Sequence, residues 1–239
     1  DGGGSSGVVY DLFSSLSVID LKVQDDLTVT GDIDVDGTSN LDVVDVDGAA
    51  NFAADVTFAN GADIITASAG TSNVRVGVNA GNSIASGGIR NTVVGDEAGT
   101  AITTGDNMVA IGYAALDAED TGERSTAVGA FALTAQNAAV ENYNTAVGYS
   151  AGAGVTTGTQ NTLIGGLTGD ALTSGNSNTA VGYLALSSDT LGDRNVAIGL
   201  GTLNTQNFTS STDSYNTAVG YSAGAAVTTG VNNTLIGGL

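Results

Sequence analysis

At 239 residues the chain has room for one or two domains, yet 36 residues are glycine, aromatics make up 5%, and tryptophan, proline, cysteine and histidine are absent. The apolar side chains are mostly Ala and Val, which bury too little area to offset an ordering entropy of about 1–2 kcal/mol per residue, so an ordinary globular core is excluded and stacking or self-association must supply the missing burial. A formal charge of −20, from 25 acidic against 5 basic residues, disfavours nucleic acid and anionic membrane surfaces, and the lack of cysteine excludes disulfide scaffolds and thiolate metal sites.

Residues 1–25 form an entry segment in which "VVYDLFSSLSVIDL" (8–21) fits a short helix or an extended strand equally well. The chain opens on Asp1 without a methionine, carries no signal-peptide pattern and no apolar run of membrane-spanning length, and is expected to be a piece of something longer. Residues 26–72 alternate apolar and acidic positions with glycine breaks, which predicts short strands with one wet face. Within them Asp32, Asp34, Asp36 and Gly37 match the start of a calcium-binding loop, but Val43 stands where the bidentate Glu belongs and helical flanks are missing, so a solvated strand face is expected and no metal site.

From residue 73 a five-residue box recurs ten times, from "NVRVG" (73–77) through "NTAVG" (144–148) to "NTLIG" (233–237), with closing glycines 18, 17, 17, 19, 17, 17, 17, 21 and 17 residues apart. Such a unit suits one coil of a β-solenoid built of two short strands and two turns. Alternation puts the second and fourth box positions (Thr145 and Val147, for example) on one face and the third (Ala146) on the other, and both faces are apolar enough to be buried. Four residues after the box glycine the sequence cycles through Leu116, Leu133, Gly152 and Gly169, a four-coil period that explains why "NTAVGYSAGA" appears at 144–153 and again at 216–225. The final "NTLIGGL" breaks off inside a coil, which predicts a continuation.

Gly148-Tyr149-Ser150-Ala151-Gly152 fits a G-x-S-x-G nucleophile elbow. Ser150 has no histidine to act as its base, and no helix pattern follows, so the match is a coincidence of spacing. The repeat-region acids Asp117, Glu119, Asp120, Glu123, Asp189 and Asp193 fall in variable turns rather than in a convergent groove, and no catalysis or cofactor is expected. A threonine ladder for ice would expose the adjoining Val/Ile column as well. Tyr113, Tyr149, Tyr183 and Tyr221 each follow a box glycine, and packing is favoured there over a carbohydrate platform.

The extra residues of the 19- and 21-residue spacings lie in "TAQNAAVENY" (134–143) and "NTQNFTSSTDSY" (204–215), at one phase of the cycle. Insertions in solenoids map to loops on one face, often the binding face. Asn137, Glu141, Tyr143, Gln206, Asn207, Phe208, Asp213 and Tyr215 are therefore the candidate receptor contacts.

The "NTAVGYSA" and "NVAIGLGT" boxes resemble the "SVAIG"-type head repeats of trimeric autotransporter adhesins and, more closely, the longer repeats of bacteriophage tail-fibre proteins, including marine ones; "LTVTGDIDVDGTSNL" looks like the strand-rich shaft of such fibres. The resemblance covers the chain from about residue 26 and implies an all-β homotrimer: an intertwined shaft over 26–72, then a left-handed parallel β-roll over 73–239 with box strands innermost. It implies a virion tail fibre acting outside the cell, with other tail proteins and a host-surface glycan or protein as partners. The alternatives are a bacterial surface adhesin or filament and a polysaccharide-degrading tailspike. Longer coils, and the lack of the adhesin neck and membrane-anchor barrel within this sequence, favour the phage fibre.

Overall fold

A computed structural model describes residues 69–238, all within the unit Phe58–Leu239. The expected entry segment, nearly all of the expected shaft and the Asp32–Asp36 motif lie outside the described residues.

The described chain is all-β, a parallel β-solenoid of about ten turns. Each box contributes one short strand: β1 (Val74–Val76), β2 (Thr92–Val94), β3 (Val109–Ile111), β4 (Thr126–Val128), β5 (Thr145–Val147), β6 (Thr162–Ile164) and β7 (Thr179–Val181), then β9 (Val196–Ile198), β11 (Thr217–Val219) and β12 (Thr234–Ile236). Each pairs in parallel with the box strand of the next coil, at matching box positions, so Thr145 faces Thr162 and Thr162 faces Thr179. The remaining two strands, β8 (Gly192–Asp193) and β10 (Thr212–Asp213), pair with each other where the longest turn returns. The expected second strand in every coil is thus absent among the described residues: outside these elements the coil is a succession of turns, stepped by residues such as Leu116, Leu133, Leu186 and Leu203 with positive φ.

The third box position points inward as alternation requires, and Val93, Ala110, Ala146, Leu163 and Ala197 are fully buried. Position three after the box glycine adds a column of buried alanines such as Ala98 and Ala151, and positions four and seven add larger groups that are matched in volume. Where position seven is aliphatic (Ile84, Ile102, Val155, Leu172), position four is glycine. A Cβ on Gly169 would lie 2.8 Å from Leu163 Cδ2 and 3.0 Å from Leu172 Cδ1. Where position seven is polar (Glu119, Gln136, Asp189, Gln206), position four is leucine. Close packing of one fixed cross-section therefore produces the four-coil cycle.

The first box position forms a buried asparagine ladder. Asn178 Nδ2 donates to Gly192 O (2.9 Å) and to Asn161 Oδ1 (3.2 Å), while its own Oδ1 accepts from the backbone N–H (2.9 Å) and side-chain amide (3.0 Å) of Asn195. Asn161 makes the same links one coil earlier, and Asn144 two coils earlier, except that its Nδ2 donates to Gln136 Oε1 (2.8 Å) in place of an asparagine. In a core this poor in apolar area, backbone groups at the strand entry gain side-chain partners that stack with the coil.

Candidate functional site: the outward sheet face and the two long turns

The second and fourth box positions face away from the core, and in the single chain they are half-buried to exposed, with Ile164 and Ile198 each 39% exposed. Of the two faces expected to be buried, one lines its own coil, and the other, expected to meet neighbouring copies, faces outward from the single chain. The fourth position stacks Ile111, Val128, Val147, Ile164, Val181 and Ile198 in register, an apolar strip running the length of the solenoid. Beside it Tyr113, Tyr149, Tyr183 and Tyr221 are half exposed. Packing is the expectation for these tyrosines, and among the described residues Tyr113 and Tyr149 each meet Phe131 edge-on, at 5.2 and 6.1 Å between ring centroids.

The long turns are built over buried carboxylates. Fully buried Glu119 accepts from the Gly122 N–H (2.9 Å), Gln136 Nε2 (2.7 Å) and Asn142 Nδ2 (3.0 Å). One cycle later Asp189 accepts from the Gly192 N–H (3.1 Å), Gln206 Nε2 (2.6 Å) and the Phe208 N–H (3.2 Å). Each buried acid is paired with glutamine and amide donors instead of a cation, and those donors come partly from the coil that carries the long turn. Glu119 and Asp189 lie in the turn stretches of their coils, as expected, but with their side chains interior, and Asp193 is nearly so. The Asp193 side chain accepts from the Asn176 N–H (2.6 Å) and Ser211 Oγ (3.0 Å).

At its return each long turn clasps the arginine that precedes the previous box. Arg124 pairs with Glu141 and lies over the Tyr143 ring, 5.6 Å from its centroid, while the Tyr143 hydroxyl donates to Glu141 at 2.7 Å. Arg194 pairs with Asp213 and lies 5.7 Å over Tyr215. Of the eight candidate contacts, Glu141 with Tyr143 and Asp213 with Tyr215 are therefore brought together in two equivalent exposed clusters. Asn137 and Asn207 are exposed on the turns, Asn207 accepting from Thr190 Oγ1 at 3.0 Å. Gln206 and Phe208 do not face outward: both are buried, Gln206 donating its side-chain amide and Phe208 its backbone N–H to Asp189. Arg124 and Arg194 escape a search for polar insertions because they lie outside the inserted segments, although their shared position one residue before the box is visible in the sequence.

Asp170 is the titratable group set apart by its surroundings. Burial raises its carboxyl pKa above the ordinary value, a backbone hydrogen bond partly opposing this, and its Oδ1 has no hydrogen-bond partner. Among the described residues no group of three or more acidic side chains is arranged to hold a metal ion. No described helix is long and apolar enough to cross a membrane.

The architecture defines a parallel β-solenoid repeat protein. Comparison with family models, curated proteins and solved structures finds no match for the chain.

Proposed function

We propose that this chain is the structural fibre of a virion, a homotrimeric tail fibre that gives reach and attaches to a host-surface glycan or protein. The observation that carries the reading is the outward sheet face. Its apolar column, flanked by threonines, continues across ten coils and among the described residues is not covered, a surface of the kind that marks association sites. Three copies with those faces innermost would supply the burial that an Ala- and Gly-rich core lacks. The outer parts of the two long turns, around Asn137 and Asn207 and one cycle apart, then serve as the surface contacts, and weak contacts repeated on three subunits add by multivalency.

Mass measurement in native buffer tests the assembly: three chains per particle are expected, and a stably folded monomer overturns the proposal. Attachment is tested by replacing Ala139–Glu141 and Thr209–Asp213 each with one glycine. This restores 17-residue coils and retains the donors to Glu119 and Asp189. The trimer is expected to survive and host adsorption to weaken; undiminished adsorption places the receptor site elsewhere.

A further inference from the structure

The outward face has two edges, the residue before each box and the residue after its glycine, and both columns are largely exposed. In five of the ten coils these columns are complementary in size. A long side chain before the box accompanies a small or aliphatic one after it: Arg124 with Ala130, Gln160 with Gly166, Arg194 with Leu200. In the intervening coils the order reverses, Asn107 with Tyr113 and Ser177 with Tyr183. The coils carrying the long turns pair tyrosine with tyrosine, and there the rings of Tyr143 and Tyr215 are drawn against the arginine of the preceding coil. Charge follows the same rule. Three of the four described arginines occupy the first column, and Arg90 shares its coil with Asp96 in the second. Five box residues separate the two columns, three of them a strand that alone spans about 10 Å, so the match cannot act within one coil.

We propose that the two columns are the two sides of one intersubunit seam: the leading edge of one copy packs against the trailing edge of a second copy, parallel and level with it. The inference rests on the trimer reading and specifies its geometry. Contact between two different edges, repeated by rotation about an axis parallel to the stack, closes into a ring with every copy level, and the trimer reading sets that ring at three. In the level arrangement Arg194 of one copy enters the gap over Leu200 between Tyr183 and Tyr221 of the next, where guanidinium and aromatic ring attract. Its ion pair with Asp213 already compensates its charge, which lowers the cost of covering it.

The chain has no cysteine, so introduced pairs report without background. Ser177→Cys with Tyr183→Cys on the full chain is expected to yield covalent dimers and trimers on a non-reducing gel, because within one chain the two positions lie beyond the roughly 7 Å Cα reach of a disulfide. Asn107→Cys with Tyr113→Cys provides a second, independent level. A one-coil offset pair, Ser177→Cys with Leu200→Cys, is expected to cross-link poorly. Equal cross-linking by the offset pair, dimers from Ser177→Cys alone, or no cross-link at either level in protein whose native mass is that of a trimer, overturns the seam and leaves the trimer standing. A monomeric mass overturns both.

Discussion

At the scale of single residues, the fold rests on polar side chains and glycines more than on apolar bulk. Asn178 serves four hydrogen bonds across three coils, so Asn178→Ala orphans Gly192 O and the Asn195 N–H in the interior. Two buried unpartnered groups are expected to cost about 2–5 kcal/mol, read by urea denaturation, against a negligible change for the neighbouring Ser177→Ala. Gly182 has φ +136°, and a Cβ there would stand 2.5 Å from Gly199 O of the next coil. Gly182→Val is expected to destabilise by at least about 3 kcal/mol and open the stack to protease, and an unchanged denaturation midpoint would refute the corner assigned to it. Asp170 works in the opposite sense. Its folded pKa is raised above 3.8, so between 3.8 and the raised value the folded state holds the extra proton and stability rises as pH falls. Asp170→Asn is expected to raise the melting temperature at neutral pH and to abolish that rise; a variant that melts lower at pH 7 contradicts the assignment.

At the scale of the element, the coil is a fixed cross-section filled in alternative ways. Its period and the facing of its strand could be read from sequence because Thr145, Ala146 and Val147 alternate strictly, and because box spacing leaves one register. The long turns were visible too, as added length. Their inner halves were not: Gln136 and Gln206 look like surface residues until the carboxylates beneath them are placed, and a link between residues 17 apart leaves no local pattern. The burial of Glu119 and Asp189 was hidden for the same reason, since an acid beside glycine and threonine reads as a turn and the turn reads as exposed. Asp189→Leu leaves Gln206 Nε2 and the Gly192 and Phe208 N–H groups without their acceptor. Amides across 206–214 are therefore expected to lose hydrogen-exchange protection by about tenfold or more, a local opening of about 1.4 kcal/mol or above, while Val196–Ile198 keep theirs. Uniform loss along the chain, or none, would mean that the buried acid does not hold the turn.

At the scale of the whole molecule, every box strand pairs only with the strands before and after it in the stack. Stability is then a sum over coils and their contacts, and the solenoid has no long-range closure to protect. Excising residues 144–215 joins Tyr143 to Asn216, which is the residue type and phase already found at Asn144. The shortened chain is expected to assemble as the parent does and to be about 19 Å shorter, four steps of the strand spacing, by electron microscopy. A chain that aggregates, or shortens by some other increment, would show coupling between distant coils. The ten letters shared by 144–153 and 216–225 then take on a hereditary meaning. Two identical words one cycle apart can misalign during recombination, and because each cycle ends where the next begins, the product of such slippage is a seamless solenoid of another length. Length becomes a quantity that a lineage can adjust in whole cycles, without inventing a new surface.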